Sequence, residues 1–229
     1  MGELGTVIVT GGASGLGAAV VRAVADHGDG TPVVLDVNQP EDGLEWEQVD
    51  LAQAREADAA VQRVAERRGG LDAVVTAAGI DCCGPLDQVD AEQWERVIAV
   101  NLLGTAAVVR AALPYLERSS GRVVTVASTL GLRALSDATA YCASKFGVIG
   151  FSRALAAETA GRVAVTCLIP GGMQTAFFDG RDERYKPPPD ATLAPPEQVA
   201  DTVLFALTRP SGTEVRELVV CPSVESSWP

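Results

Sequence analysis

The stretch Thr6-Val7-Ile8-Val9-Thr10-Gly11-Gly12-Ala13-Ser14-Gly15-Leu16-Gly17 decides how this chain folds. Its first five residues are a short β-branched, apolar run, which is a strand signal, and the pattern from Ala18 to His27 has the spacing of a helix. Between them lies a glycine-rich turn. Alone, such a loop is only a turn. Between a strand and a helix, its glycines let the backbone bend tightly and approach a pyrophosphate with no side chain in the way. The helix N-terminus then offers unbonded N–H groups and the positive end of its dipole to that anion.

A second strand, Pro32-Val33-Val34-Leu35, ends in Asp36. About 20 residues past the last glycine is where a carboxylate accepts hydrogen bonds from an adenosine ribose. A carboxylate there repels a 2′-phosphate, and Ser14, Val37 and Asn38 supply no cation to neutralise one. NAD(H) is therefore expected ahead of NADP(H). If Asp36 only caps the next turn, that preference stays open.

The alternation continues along the chain. Glu47-Gln48-Val49 leads into Asp50-Leu51 as a third strand, residues 54–68 read as a helix, and Ala73-Val74-Val75-Thr76 is a fourth strand closing on Ala77-Ala78-Gly79. A long helical pattern over 91–117 is expected to break at Gly104 and Pro114. Residues 122–126 form a fifth strand, 140–159 a helix, 163–169 a sixth strand, 197–207 a final helix and 217–220 the last strand. Strands alternating with helices imply a doubly wound parallel sheet in a three-layer α/β/α arrangement, within a single domain over residues 1–229. The Pro-rich, charged segment 171–196 is the one long irregular stretch, which suggests a lid or binding loop.

Composition narrows the function. With 47% apolar residues the chain can bury one large core. No run approaches the ~20 apolar residues that span a bilayer, and no signal segment precedes the first strand, so a soluble, cytoplasmic protein without membrane contact is expected. The net charge of −12 argues against a nucleic-acid partner. Cysteines 82, 83, 142, 167 and 221 are odd in number and lack the spacing of a metal knuckle, so reduced thiols and no metal site are expected. Adjacent Cys82 and Cys83 read as a plain loop more than as a redox pair. His27 is the only histidine, which leaves zinc or histidine-triad chemistry almost without residues.

Tyr141 and Lys145 lie four apart in Tyr141-Cys142-Ala143-Ser144-Lys145, on one face of a helix. A tyrosine titrates near pH ~10. A neighbouring ammonium favours its phenolate, which is expected to lower the pKa toward the range of general acid/base work.

With these motifs in order, the chain resembles a short-chain dehydrogenase/reductase of the compact, single-domain Rossmann branch over nearly its whole length. The family's Thr-Gly-x-x-x-Gly-x-Gly matches Thr10 to Gly17, including Gly11, Ser14, Gly15, Leu16 and Gly17. Its catalytic asparagine matches Asn101, its serine Ser128, and its Tyr-x-x-x-Lys Tyr141 and Lys145. Its Pro-Gly-x-x-x-Thr matches Pro170 to Thr175, where the resemblance implies contact to the nicotinamide amide from Met173 and Thr175, beside Gly171. Asp50 and Leu51 match positions flanking the adenine, and Ala78 and Gly79 fall in the family's Asn-Ala-Gly signature. That signature reads Thr76-Ala77-Ala78-Gly79 here, with threonine for the first asparagine, and the threonine hydroxyl is expected to bond backbone. The carboxyl end lacks the common glycine-rich finish.

The resemblance implies metal-free hydride transfer between a nicotinamide and a secondary alcohol or ketone. Tyr141 would exchange the substrate proton and Ser128 hold the substrate oxygen. Lys145 would tune Tyr141 and bond the nicotinamide ribose, and Asn101 would anchor a proton-relay water. A catalytically silent nucleotide-binding sensor or scaffold is the alternative; an epimerase of the extended branch needs a larger substrate domain. Candidate pocket walls are Thr129, Leu130, Leu132, Gly172, Met173, Phe177 and Phe178, while Arg133, Arg181 and Arg184 could meet an anionic tail. The resemblance also implies a homodimer or homotetramer built on the long helices, and Trp228-Pro229 is expected to pack on a neighbouring subunit.

Overall fold

Runs of Val, Ile and Leu that are apolar on both sides must be covered on both faces, and that requirement sets the architecture. The computed structural model describes residues 4–41 and 43–225. Strands β1 (Gly5–Thr10), β2 (Gly30–Asp36), β3 (Glu45–Gln48), β4 (Ala73–Thr76), β5 (Arg122–Val126), β6 (Ala164–Pro170) and β7 (Glu217–Val220) form one sheet in the order β3-β2-β1-β4-β5-β6-β7. Every pairing in it is parallel, with Val9 registered between Val34 and Val75.

Successive side chains of a strand point to opposite faces. Val7 and Val9 of β1 pack with α1 (Gly15–Asp26) and α6 (Pro196–Leu207). Ile8 points the other way, into the layer made by α2 (Ala54–Arg68), α4 (Thr105–Ser119) and α5 (Thr139–Glu158). This is the three-layer, Rossmann-like arrangement.

The long helix differs from its sequence reading. Residues α3 (Ala91–Ile98) run without a break through a π-helical turn, Ala99–Gly104, into α4. Pro114 sits inside α4 without ending it. Gly104 is a packing site: a Cβ there would lie 2.7 Å from the Leu51 carbonyl oxygen. Continuity over Ala91–Ser119 makes this helix long and apolar enough to cross a membrane by length and composition, contrary to the expectation that no run comes near that length. Half of its most apolar stretch is buried inside the protein, as in a core helix.

Other boundaries shift by a few residues. β3 occupies Glu45–Gln48 in place of the expected run from Glu47 into Asp50-Leu51, because the backbone of Glu45–Gln48 is what pairs with Val33–Asp36 of β2; Glu45 and Glu47 also pair with Arg67 (2.8 Å each) and Glu47 with Arg63 (2.9 Å) on α2. Helix α1 begins at Gly15, inside the glycine motif. Trp228 and Pro229 lie outside the described residues.

The entry of α1 depends on close backbone contact. A Cβ at Gly17 would fall 2.1 Å from the Gly11 carbonyl oxygen, so Gly17→Ala should cost about 1–3 kcal/mol by overpacking. At Gly150, an exposed site in α5 with open space around it, Gly150→Ala should stabilise by about 0.5–1 kcal/mol. Urea titration of the two variants checks both signs.

Candidate functional site

Crossovers from β1 leave the sheet in one direction and those from β4 in the other, so a crevice opens at the carboxyl ends of these neighbouring strands. Gly11 turns there with φ of +68°, a conformation that favours glycine, and its N–H donates to the Leu35 carbonyl at 2.9 Å. A Cβ on Gly11 would lie 2.7 Å from the Ala78 Cα, so the first and fourth strand loops touch backbone to backbone. Asp36 ends β2 with both carboxylate oxygens engaged: Oδ2 accepts from the Ala13 N–H and Oδ1 from the Asn38 N–H, each at 3.0 Å.

The crevice is a cavity of about 790 Å³. Gly11, Ser14, Gly15, Leu16, Gly17, Asp36, Asp50, Leu51, Ala78, Gly79, Pro170, Gly171, Met173 and Thr175 all line it. So do Ser128, Tyr141 and Lys145. A bare glycine cradle at a helix N-terminus, opening into a space of this size, fits a dinucleotide. Asp50 is held by the Ala52 N–H (3.0 Å) and by Arg96 (3.1 Å), a cavity-lining cation that the sequence reading passed over because it sits alone in an ordinary helical pattern.

Three elements build the reactive end. Ser128 follows β5, and its Oγ accepts the Leu130 N–H at 3.1 Å, which fixes the short 3₁₀ turn after it. Tyr141 and Lys145 stand one turn apart on α5. Lys145 is buried; its Nζ donates to the Val126 carbonyl at 2.9 Å and lies 5.5 Å from the centre of the Tyr141 ring.

The electrostatics differ from the expectation of a lysine-depressed phenol. Burial pushes the Tyr141 pKa up, and a hydrogen bond from Ser128 opposes it only in part. Asp81 adds to the rise and Arg181 counters it. Burial also lowers Lys145 to about 8, and the charges of Cys167 and Asp81 oppose that only in part.

Asn101 lies in the π-helical turn and does not line the cavity. Its Oδ1 accepts the Ile80 N–H at 2.9 Å, while Nδ2 donates to the Ile80 carbonyl at 2.9 Å and to the Ser144 hydroxyl at 3.1 Å. Its own carbonyl accepts the Thr105 hydroxyl at 2.9 Å. The expected backbone bond from Thr76 is not formed: its buried Oγ1 has no hydrogen-bond partner. Thr10 does that work instead, its Oγ1 accepting the Ala78 N–H at 3.1 Å, because β1 and β4 are neighbours in the sheet.

Of the expected pocket walls, Thr129, Leu130, Gly172, Met173, Phe177 and Phe178 line the cavity. Leu132 does not; it packs against the cluster of Val148, Ile149 and Ile169. Among the three arginines only Arg181 lines the cavity, and Arg184 stacks on Tyr185 at 4.6 Å. The segment 171–196 doubles back on itself: Met173 bridges Ala194, and the Ala194 N–H donates to the Gly172 carbonyl at 3.0 Å. Glu225 and Asp81 are cavity residues that the sequence reading also passed over. Glu225 reaches in from the chain end to accept the Gly172 N–H at 3.1 Å, and Asp81 stands two residues after Gly79; neither lies in a motif. Burial raises the Cys82 thiol pKa and takes Cys83 to about 11, with the Asp81 charge adding to both, which keeps these thiols protonated and poorly reactive. Among the described residues no cluster of His, Cys, Asp or Glu could hold a metal.

Residues 5–186 match the sequence profile described as short chain dehydrogenase. An uncharacterized oxidoreductase of Staphylococcus aureus is 32% identical over 228 residues, covering 94% of this chain and 96% of its own. Among solved structures, the ligand-free aldohexose dehydrogenase of Thermoplasma acidophilum superposes with a TM-score of 0.86 at 25% identity, over 95% of this chain and 92% of its own. An alcohol dehydrogenase from the archaeon Thermococcus sibiricus, complexed with 5-hydroxy-NADP, gives 0.84 at 25% identity, over 95% and 96%. A relative that carries an NADP derivative shows that likeness alone does not favour NAD(H).

The lowered Lys145 pKa has a consequence for stability. Between about pH 8 and the usual lysine range the unfolded chain binds the proton that the folded protein has released, so stability rises with pH across that window, and the penalty is fully present below it. The stability of the ligand-free protein minus that of Lys145→Met should therefore rise by up to about 3 kcal/mol from pH 8 to pH ~10.5. Denaturant titrations of both proteins at the two pH values measure it.

Proposed function

The chain belongs to the short chain dehydrogenase family and is an oxidoreductase, and from that premise we propose that it transfers a hydride between NAD(H) and a secondary alcohol or its ketone. The observation that carries this reading is the meeting of Ser128, Tyr141 and Lys145 in the cavity that also holds the glycine cradle and Asp36. The nicotinamide, when bound, supplies or accepts the hydride. Tyr141 gives the proton to the substrate oxygen in reduction and takes it in oxidation. Ser128 hydrogen-bonds that oxygen and holds it beside the phenol. Lys145 brings a positive charge next to the site, and with a pKa of about 8 it can itself exchange a proton near neutrality. Asn101 acts as a brace that fixes the loop after Gly79 against α5.

The NAD(H) preference rests on Asp36. Two backbone N–H groups pin its carboxylate at the end of β2, where a 2′-phosphate would meet its charge. We further propose that the chain acts in the cytoplasm as a homodimer or homotetramer. Leu103, beside α4, and Phe146, on α5, are exposed large apolar side chains on the helical layer, and such residues suit contact with a second copy.

Fluorescence titration with NADH and NADPH, followed by a panel of secondary alcohols and ketones, tests the reading. NADH should bind about tenfold or more tightly than NADPH, and Tyr141→Phe should lower kcat by about 10²–10⁴ while leaving NADH bound. Tighter NADPH binding would remove the Asp36 argument. Cofactor binding with no turnover on a broad panel would favour a silent nucleotide-binding protein. For the assembly, light scattering should show a dimer or tetramer that Phe146→Arg shifts toward monomer.

A further inference from the structure

Asp81 and Arg181 form an ion pair at the edge of the reactive site that proton and hydride transfer do not use. Their side chains are 6% and 16% exposed, and Arg181 Nη2 lies 2.9 Å from Asp81 Oδ2. The two are close but poorly aligned, and Nη2 finds no hydrogen-bond acceptor. Asp81 Oδ2 accepts the Cys83 thiol at 3.3 Å, while Oδ1 is buried with no partner at all. The guanidinium lies over the rings of Phe177 at 4.7 Å and Phe178 at 4.8 Å, and Phe177 in turn packs 5.6 Å from the Tyr141 ring. Both residues line the cavity shared with Ser128 and Tyr141. Folded proteins rarely leave a buried carboxylate oxygen or guanidinium nitrogen unbonded, since each forfeits its hydration with nothing in return.

Resting on the oxidoreductase reading above, we propose that Asp81 and Arg181 form a specificity subsite that receives a second, uncharged hydroxyl of the substrate, so that a diol or hydroxyketone is preferred over a monohydric alcohol. A hydroxyl is both donor and acceptor. It can donate to the unbonded carboxylate oxygen and accept from the unbonded guanidinium nitrogen at once. Both atoms are buried in the ligand-free protein, so the subsite opens by rotation of the carboxylate about its soft terminal torsion together with a small shift of the partly exposed Arg181 side chain across the phenyl faces. An alkyl group in the same place leaves both atoms unsatisfied. A substrate carboxylate meets the Asp81 charge, which already neutralises Arg181. The subsite is also well held: Asn101 fixes the main chain of Ile80, next to Asp81, and two aromatic faces keep the guanidinium from turning away.

Cyclohexane-1,2-diol and cyclohexane-1,3-diol, compared with cyclohexanol and with 2-hydroxycyclohexanecarboxylate, probe the subsite with either oxidised cofactor. The better diol should exceed cyclohexanol in kcat/KM by about tenfold or more, mainly through KM, and the ratio should fall toward one in Asp81→Ala and in Arg181→Met. Calorimetry with the cofactor-loaded Tyr141→Phe protein gives a readout apart from turnover: the diol should bind, and more weakly by a similar factor once Asp81→Ala is added. Equal or better use of cyclohexanol or of the hydroxy acid, or a ratio unchanged in both variants, would overturn the subsite and leave the oxidoreductase reading standing. Asp81-dependent diol binding with no turnover of any probe would keep the subsite and remove the proposed secondary-alcohol activity.

Discussion

The side-chain amide of Asn101 joins parts of the chain that are far apart in sequence. One end closes a two-way bond with the main chain of Ile80, and the same amide reaches the Ser144 hydroxyl on α5. The loop after β4, the π-helical turn and the helix that carries Tyr141 and Lys145 are therefore held in a fixed relation. A π-helical turn suits this task, because its extra residue per turn re-aims a side chain without ending the helix. Buried amides fully satisfied in this way confer rigidity, and a half-satisfied one would be a liability.

On that frame, burial sets the chemistry of the reactive groups. Lys145 is buried and Tyr141 partly so, and desolvation pushes each toward its neutral form: the phenol up, the ammonium down to about 8. A surface pair with the same spacing would lean the other way, toward phenolate and ammonium. Lys145 meets part of the desolvation penalty through its bond to the Val126 carbonyl, which also anchors α5 to the end of β5. Of the two, burial brings Lys145 close to neutrality and moves the Tyr141 phenol away from it.

Residues of the segment 171–196 line one side of the cavity. The segment is stitched to itself near its ends at Met173 and Ala194, and it is tied to the loop after β4 by Arg181 on Asp81 and to the loop before α5 by the Tyr185 hydroxyl on Asp137 (3.2 Å). Phe177 brings apolar cover against Tyr141, with Phe178 packed on Phe177, and Arg181 brings the polar group. Cover and polarity thus come from one short stretch of chain, with the complementary carboxylate supplied from across the crevice.

Much of this was legible in the sequence, because its signals are local. The run Thr6–Thr10 followed by glycines fixed a strand, a turn and a helix, since β-branched residues favour strands and only glycine admits such close backbone approach. The spacing of Tyr141 and Lys145 placed them on one helical face. Other features depended on partners distant in sequence. Glu45 starts β3 because its backbone lies beside Val33 of β2, Gly104 is a packing site because Leu51 lies across from it, and Thr10 bonds the Ala78 N–H in place of Thr76 because β1 and β4 are neighbours. The sequence by itself determined the alternating elements, the glycine cradle and the tyrosine–lysine pair, all set by contacts within a turn or two of chain. Only the tertiary structure decided the direction of the Tyr141 and Lys145 pKa shifts and the pairing of Asp81 with Arg181, because desolvation and long-range contact exist only once the chain has closed around them.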